Sequence, residues 1–225
     1  MLYLVLVETA VERIPDSLAQ KTSVKKALKK FGSAAKLLDT TWHHTDMHTL
    51  PDSHRRGRPD ILQHFLLDTL GSPANLTGNL QILFHCSDGL FQVDSKMRCP
   101  RDYLRFKSLI VPLLEQGHVP PKKPYLIRRI TQNFPQWVES QFSADQIYKF
   151  SSTGTVQSLE SLMTSISSNS SDTLIMIGGF QKGPFSSLIQ DLPGQIIALP
   201  NQGYDSWIVV NRVCGAYEKA LHLIE

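Results

Sequence analysis

The sequence predicts an α/β protein whose sheet is mostly parallel and covered by helices. Three observations carry that expectation. The C-terminal half holds four short β-like runs: YLIRRIT (125–131), QIYKFSS (146–152), TLIMIGGF (173–180) and QIIALP (195–200). Stretches with helical spacing, notably 155–166 and 205–224, lie between or after most of them. Strand–helix alternation builds parallel sheets, because a parallel crossover needs a helix-length connection. The opening run, residues 2–9, reads as a buried strand. NLQILFHCSDGLFQVD adds two apolar runs around Ser87-Asp88-Gly89, a hairpin with an Asp-Gly turn.

The remaining elements follow in chain order. Ser17 to Lys30 spaces Leu18, Val24 and Leu28 as a helix does, and Gly32 is a stop signal. Residues 36–58 are polar, histidine-rich and irregular. Pro59 suits a first helical turn, and Ile61, Leu62, Phe65, Leu66 and Leu70 continue one apolar face to Gly71. Pro100 opens another helix, with Leu104, Leu109, Leu113 and Leu114 inside and an end near Gly117. VPPKKP (119–124) reads as a linker and the best candidate for an internal boundary. Ser165 to Asp172 is a serine-rich turn, and no internal repeat is visible.

With 225 residues the chain can bury one good core, or a core plus a sizeable insertion. No apolar run approaches the roughly 20 residues that cross a bilayer. The opening MLYLVLVETA lacks a basic leader and runs into Glu8, so it reads as a strand and not as a signal peptide. A cytoplasmic address is expected. Cys86, Cys99 and Cys214 have no metal-finger or redox spacing and read as free thiols.

The formal net charge is +3, yet cations cluster at Lys25–Lys30, His54–Arg58, Arg98–Lys107 and Lys122–Arg129. Such clusters are ordinarily solvated faces. Four of them in a nearly neutral chain point to a polyanionic partner. In RCPRDYLRF, Arg101 and Arg105 are four apart on a helix expected to begin near Pro100, with Arg98 just before it. They can follow successive phosphates, or simply be solvated. Tyr103 can stack on a base, whereas Phe106 reads as core.

TLIMIGGFQKG sets Gly178, Gly179 and Gly183 just past an apolar strand. Ligands of open α/β sheets sit at such strand ends; a tight turn without a ligand is the alternative. The order is not that of a dinucleotide fingerprint. IIALPNQGYDSW repeats the theme, with Leu199-Pro200 opening into Asn201-Gln202-Gly203 and Asp205 or Ser206 capping the last helix. Two neighbouring loops of this kind make a backbone-lined pocket suited to a neutral ring edge more than to a phosphate. His44 and His48, at i and i+4 in WHHTDMH, can chelate zinc, but a catalytic Glu and a third ligand at a recognisable spacing are missing. Surface or RNA-facing histidines are the preferred reading, and no metal is expected. Nothing in the sequence supports a hydrolase nucleophile.

HRRGRPDI (54–61), RCPRDYLRF, IMIGGFQKG and ALPNQGYDSW resemble, in order and spacing, the nucleolar essential protein family. These are SPOUT-class pseudouridine-N1 methyltransferases of small-subunit ribosomal RNA. The resemblance runs from first strand to last helix. It implies one SPOUT domain over 1–225, with a hairpin and basic helix inserted over roughly 74–118. A trefoil-knotted cofactor region would follow over roughly 146–225. It also implies a homodimer, S-adenosylmethionine as cofactor, and a role in small-subunit biogenesis; the short N-terminus suggests an archaeal member. By position, Gly178, Gly183, Leu199, Pro200, Asn201, Gln202, Gly203 and Tyr204 would touch the cofactor, as would Thr153. Arg58, Arg98, Arg101 and Arg105 would hold RNA. Arg58 and Asp60 would be catalytic: the guanidinium stabilises the ring anion left when N1 loses its proton, and Asp60 orients it or takes the proton. A carboxylate held by a guanidinium is a weak base, which favours orientation. Gln181-Lys182 and Pro200 depart from the family's usual residues. Three rival readings remain. One is a SPOUT enzyme acting on another base atom. Another is an rRNA-binding assembly factor whose methylation is dispensable. The last is a plain α/β binding module.

Overall fold

The computed structural model describes residues 1–200 and 203–225. Eight strands form one sheet: β1 (Leu2–Val7), β2 (Leu80–Cys86), β3 (Gly89–Val93), β4 (His118–Val119), β5 (Ile127–Thr131), β6 (Ile147–Val156), β7 (Thr173–Gly178) and β8 (Gln195–Ala198). Their spatial order is β4-β5-β3-β2-β1-β7-β6-β8. From β2 to β8 every pairing is parallel. β3, β5 and β4 extend the sheet antiparallel. The α/β class with flanking helices is therefore as expected.

β1 is central, and its sequence LYLVLV shows why it has no polar face. Leu2, Leu4 and Leu6 enter one core, while Val5 and Val7 enter the other. A strand buried on both sides reads as a continuous apolar run. Helices α3 (Pro59–Leu70), α5 (Tyr103–Gln116), α7 (Leu159–Ser168) and α9 (Ser206–Ala220) supply the first core. The second takes α6 (Phe134–Gln141) and the short α8 (Ser187–Gln190). Each fully buried Leu or Phe contributes about 1.5–3 kcal/mol. A smaller cluster, with Leu18, Val24, Leu38 and Met47, joins α1 (Thr22–Phe31) to α2 (Thr40–Met47). A one-turn helix, α4 (Pro73–Leu76), follows α3 and rests its first turn on buried Glu218 of α9, whose carboxylate accepts from Ala74 N at 3.2 Å. From the edge strand β8 the chain turns back inward, and α9 packs on α3 and α7.

Four details differ from the sequence reading. Residues 36–58 are not all irregular, because α2 lies among them. Asp39 caps α2, accepting from Thr41 N at 2.8 Å. VPPKKP is not a linker between units but the loop of the β4–β5 hairpin. In the β2–β3 hairpin, Gly89 already pairs with Cys86, so Ser87-Asp88 make the turn. The arginine-bearing helix α5 begins at Tyr103, with Asp102 as its cap, so Arg101 precedes the helix and shares no face with Arg105.

His85, on β2, shows how one polar group is accommodated. It is 8% exposed and stacks on Phe134 at 4.6 Å. Its Nδ1 accepts from Glu8 N at 3.5 Å. Burial pushes its pKa down to about 4, against about 6.5 in an unfolded chain. Between those values the unfolded chain holds a proton that the folded chain refuses. Stability present above pH 6.5 is therefore lost as pH falls toward 4, on the order of 3 kcal/mol. Urea melts across that window should show the loss, and His85→Asn, which keeps an acceptor near Nδ1, should flatten the slope.

Candidate active site

Strands β6, β7 and β8 end side by side, and their loops enclose a cavity of about 420 Å³. β6 makes this possible by departing from its own ladder. Both Phe150 and Thr155 sit opposite Ile197, so residues 151–154 loop out between them. Gly154 allows the loop to rejoin, since a Cβ there would lie 2.6 Å from the Ile197 carbonyl carbon. Gly179 has a comparable duty: its missing Cβ would fall 2.7 Å from Thr9 Cα. The glycine turn after β7 thus lies directly on the end of β1, where Ala10 N donates to Gly179 O at 2.8 Å.

Gly178, Gly183, Leu199, Gly203 and Tyr204 line the cavity. Pro200 is not in the wall; its carbonyl accepts from the hydroxyl of Tyr204, which is, at 3.0 Å. Thr153 is outside the wall, exposed and bonded to Ser151 Oγ at 3.0 Å. Asn201 and Gln202 lie outside the described residues. Ser151 and Ser152, which carry no signal in the sequence, and Asp205 and Ser206, expected there only as helix caps, also face the cavity. Ser206 donates to the Gly178 carbonyl and so ties the two loops together. The lining combines apolar walls (Phe150, Ile177, Ile197, Val209) with hydroxyls, backbone, the Lys182 ammonium and the Asp205 carboxylate. Its size is within the usual range for small-molecule sites. The donor set suits an adenosyl group with an amino-acid tail: rings on the apolar walls, polar edges on backbone and hydroxyls.

A second, more open depression of about 650 Å³ adjoins it, lined by Thr40, Thr41, His44, Arg58, Asp60, Gln63, His64, Tyr103 and Gln181. Gln181 belongs to both walls. Here Arg58 grips Asp60 side-on, Nε to Oδ1 at 2.8 Å and Nη2 to Oδ2 at 2.6 Å. This leaves Nη1 outside the pair. The hydrogen bond to Asp60, and then its charge, raise the Arg58 pKa despite burial. The side chains are 19% and 33% exposed, so a substrate can reach them while solvent screening stays partial.

The neighbouring arginines are not a free basic patch. Arg56 takes Glu12 in two contacts, Nε to Oε1 at 2.8 Å and Nη2 to Oε2 at 2.5 Å. Arg55 binds Glu8 at 2.6 Å, lies 3.8 Å over the Phe180 ring and donates to the Pro184 carbonyl. Glu8 holds a left-handed backbone, φ 51°, and its carboxylate accepts from Ser186 N at 3.2 Å. Each arginine of HRRGRPD therefore has its own acid.

Tyr103, on the depression's rim, donates to Asp39 at 2.8 Å. Asp39 also takes the fully buried Lys107 at 2.6 Å. Burial would raise the Asp39 pKa, but the Lys107 hydrogen bond and charge bring it below the ordinary value. Burial pushes Lys107 down and Tyr103 up. Arg98, Arg101 and Arg105 are exposed and have no salt-bridge partner among the described residues. His44 faces the depression, His48 is exposed, and the described residues hold no group of three or more potential metal ligands.

The EMG1/NEP1 methyltransferase family model matches residues 4–218. The chain is 30% identical over 227 residues to ribosomal RNA small subunit methyltransferase Nep1 of Thermococcus kodakarensis, covering 99% of this chain and 100% of that protein. Against the Nep1 of Aeropyrum pernix it is 31% identical, with 96% of each chain covered. Its structure resembles the crystal structure of Archaeoglobus fulgidus Nep1 bound to S-adenosylhomocysteine, with a TM-score of 0.83, 26% identity and 98% of both chains covered.

The Glu8–Arg55 pair is half-buried, so removing one partner strands the other. Arg55→Met should destabilise the fold by about 2 kcal/mol. Glu8→Gln/Arg55→Met should cost less than the sum of its single changes. Denaturant melts in a double-mutant cycle measure the difference.

Proposed function

This chain belongs to the EMG1/NEP1 methyltransferase family, and from that premise we propose that it methylates N1 of a pseudouridine in small-subunit ribosomal RNA during subunit biogenesis. The methyl donor is S-adenosylmethionine. One observation carries the reading. The cavity at the ends of β6, β7 and β8 and the Arg58–Asp60 depression share the Gln181 wall, so donor and target base can meet across it.

Gly178, Gly183, Leu199, Gly203 and Tyr204, with Ser151 and Asp205, would hold the donor. When bound, the donor supplies an electrophilic methyl on sulfur. The rest is positioning, which contributes on the order of 7–11 kcal/mol in well-aligned reactions. A new bond forms from N1 to the methyl carbon, the carbon–sulfur bond breaks, and the N1 proton leaves to solvent. Arg58 stabilises the ring anion of that step. Asp60, gripped at both oxygens, orients Arg58. The target base must leave its stack to enter the depression, which favours a loop. Arg98, Arg101 and Arg105, exposed and unpaired among the described residues, bind flanking phosphates.

Val156, at the end of β6, and Ile196, on the edge strand β8 that pairs with it, are 62% and 38% exposed. An apolar edge beside the donor cavity supports a homodimer built there. Three free thiols suit a reducing, cytoplasmic setting.

Calorimetry with S-adenosylmethionine should give one site per chain, and absence of heat would remove the reading. Mass spectrometry of RNA incubated with labelled donor should find the label on N1 of a pseudouridine; label on another base atom would change the assignment. Asp60→Asn should lower kcat about 10–100-fold while RNA affinity and melting temperature hold. A lower melting temperature with normal turnover per folded molecule would make Asp60 purely structural.

A further inference from the structure

α1 carries Lys25, Lys26, Lys29 and Lys30 and no acid. All four are exposed, on the arc opposite the buried Val24 and Ala27. None has a salt-bridge partner among the described residues. They form two rows one helical turn apart, about 6 Å along the axis. A solvated face would need nothing more.

A second observation lies beside them. A groove of about 490 Å³ runs between α1 and α2, walled by Lys26, Lys30, Phe31, Trp42 and Thr45 among others. Phe31 and Trp42 stack there, with centroids 4.3 Å apart and planes 6° apart. The other face of Phe31 carries the Lys30 ammonium at 5.0 Å. Asp46, which also lines the groove, is engaged by the Ser23 hydroxyl. Cations beside an aromatic ring are what single-stranded nucleic acid uses: phosphates meet the charges, and a base can stack on the Phe31 face that the exposed Lys30 covers, as the ammonium moves to a phosphate.

The position of α2 connects this groove to the active site. Thr40, Thr41 and His44 line the Arg58–Asp60 depression, while Trp42 and Thr45 line the groove. One eight-residue helix therefore separates the two. A strand that leaves the depression over α2 arrives at the lysine rows.

We propose that the basic face of α1 and the α1–α2 groove form a second RNA contact, which holds the single-stranded segment flanking the target nucleotide. Lys25, Lys26, Lys29 and Lys30 take its phosphates, and one base stacks on Phe31. This rests on the RNA-methyltransferase reading and adds a substrate requirement to it: unpaired nucleotides beyond the target loop.

The test uses two RNAs, a stem-loop carrying one pseudouridine and the same stem-loop with single-stranded extensions. The wild type should bind the extended RNA more tightly. Lys26→Glu/Lys30→Glu should lower affinity for it about tenfold and flatten the salt slope by roughly 1 to 1.5. Methylation of the short stem-loop and the melting temperature should not change. Phe31→Leu should weaken the extended RNA several-fold with the slope kept. Lys26→Gln/Lys30→Gln gives the milder charge change should the reversal reduce folding. The proposal falls if extensions add no affinity, if the lysine variants bind extended RNA as the wild type does, or if the short stem-loop suffers equally. An unchanged Phe31→Leu affinity overturns the base contact. The parent reading fails in a different way: no methyl reaches either RNA with the wild type.

Discussion

The site depends on the ion pair between Glu8 and Arg55. Three segments far apart in sequence meet at it: the end of β1, the HRRGRPD turn and the glycine loop after β7. Arg55 spans them, with the Glu8 carboxylate at one side, the Phe180 ring beneath and the Pro184 carbonyl beyond. Glu8 takes a left-handed backbone to reach it, which costs an ordinary residue about 1–2 kcal/mol. Such a conformation persists only when its surroundings over-determine it. Here Ser186 N and the Arg55 guanidinium both bind the Glu8 carboxylate. A loop with glycines at 178, 179 and 183 has little conformational preference of its own, and this pair supplies it from outside.

The two hollows differ in how their charge is held. The cavity at the strand ends sets Lys182 and Asp205 among backbone, hydroxyls and apolar walls. The depression next to it concentrates charge, but in a prepaired form, with Asp60 turning the Arg58 guanidinium. A preset guanidinium needs no reorganisation when negative charge develops beside it, which is why preorganised charge is effective in enzymes. The Asp39–Lys107–Tyr103 network extends the same logic beneath the rim, since a buried ammonium is tolerable only with its carboxylate and hydrogen bonds complete.

Much of this was legible in the sequence where local physics decides. β1, β7 and α3 follow from apolar periodicity and from Pro59, and the strand-end glycines marked the cavity. What was not legible depends on partners distant in the chain. α2 has no apolar period; it forms because Asp39 caps it and is itself fixed by Lys107 and Tyr103. The HRRGRPD arginines look like a free cationic patch because Glu8 and Glu12 lie more than forty residues upstream. The looping-out of 151–154 has no periodic signature, so nothing in the local sequence marks Ser151 and Ser152 as cavity residues; Thr153, expected from the resemblance, sits in the same loop outside the wall. Arg101 was put on a helix because Pro100 suggested a start that Asp102 in fact makes.

The three cysteines carry one more consequence. Burial raises the pKa of Cys86, Cys99 and Cys214 to about 12 each. Because the thiolate is the reactive form, only about one sulfur in 10⁵ is nucleophilic at neutral pH. Proteins that handle sulfonium alkylating agents risk alkylating themselves. This chain keeps its three thiols buried or half-buried and protonated, which slows their reaction with the group it transfers.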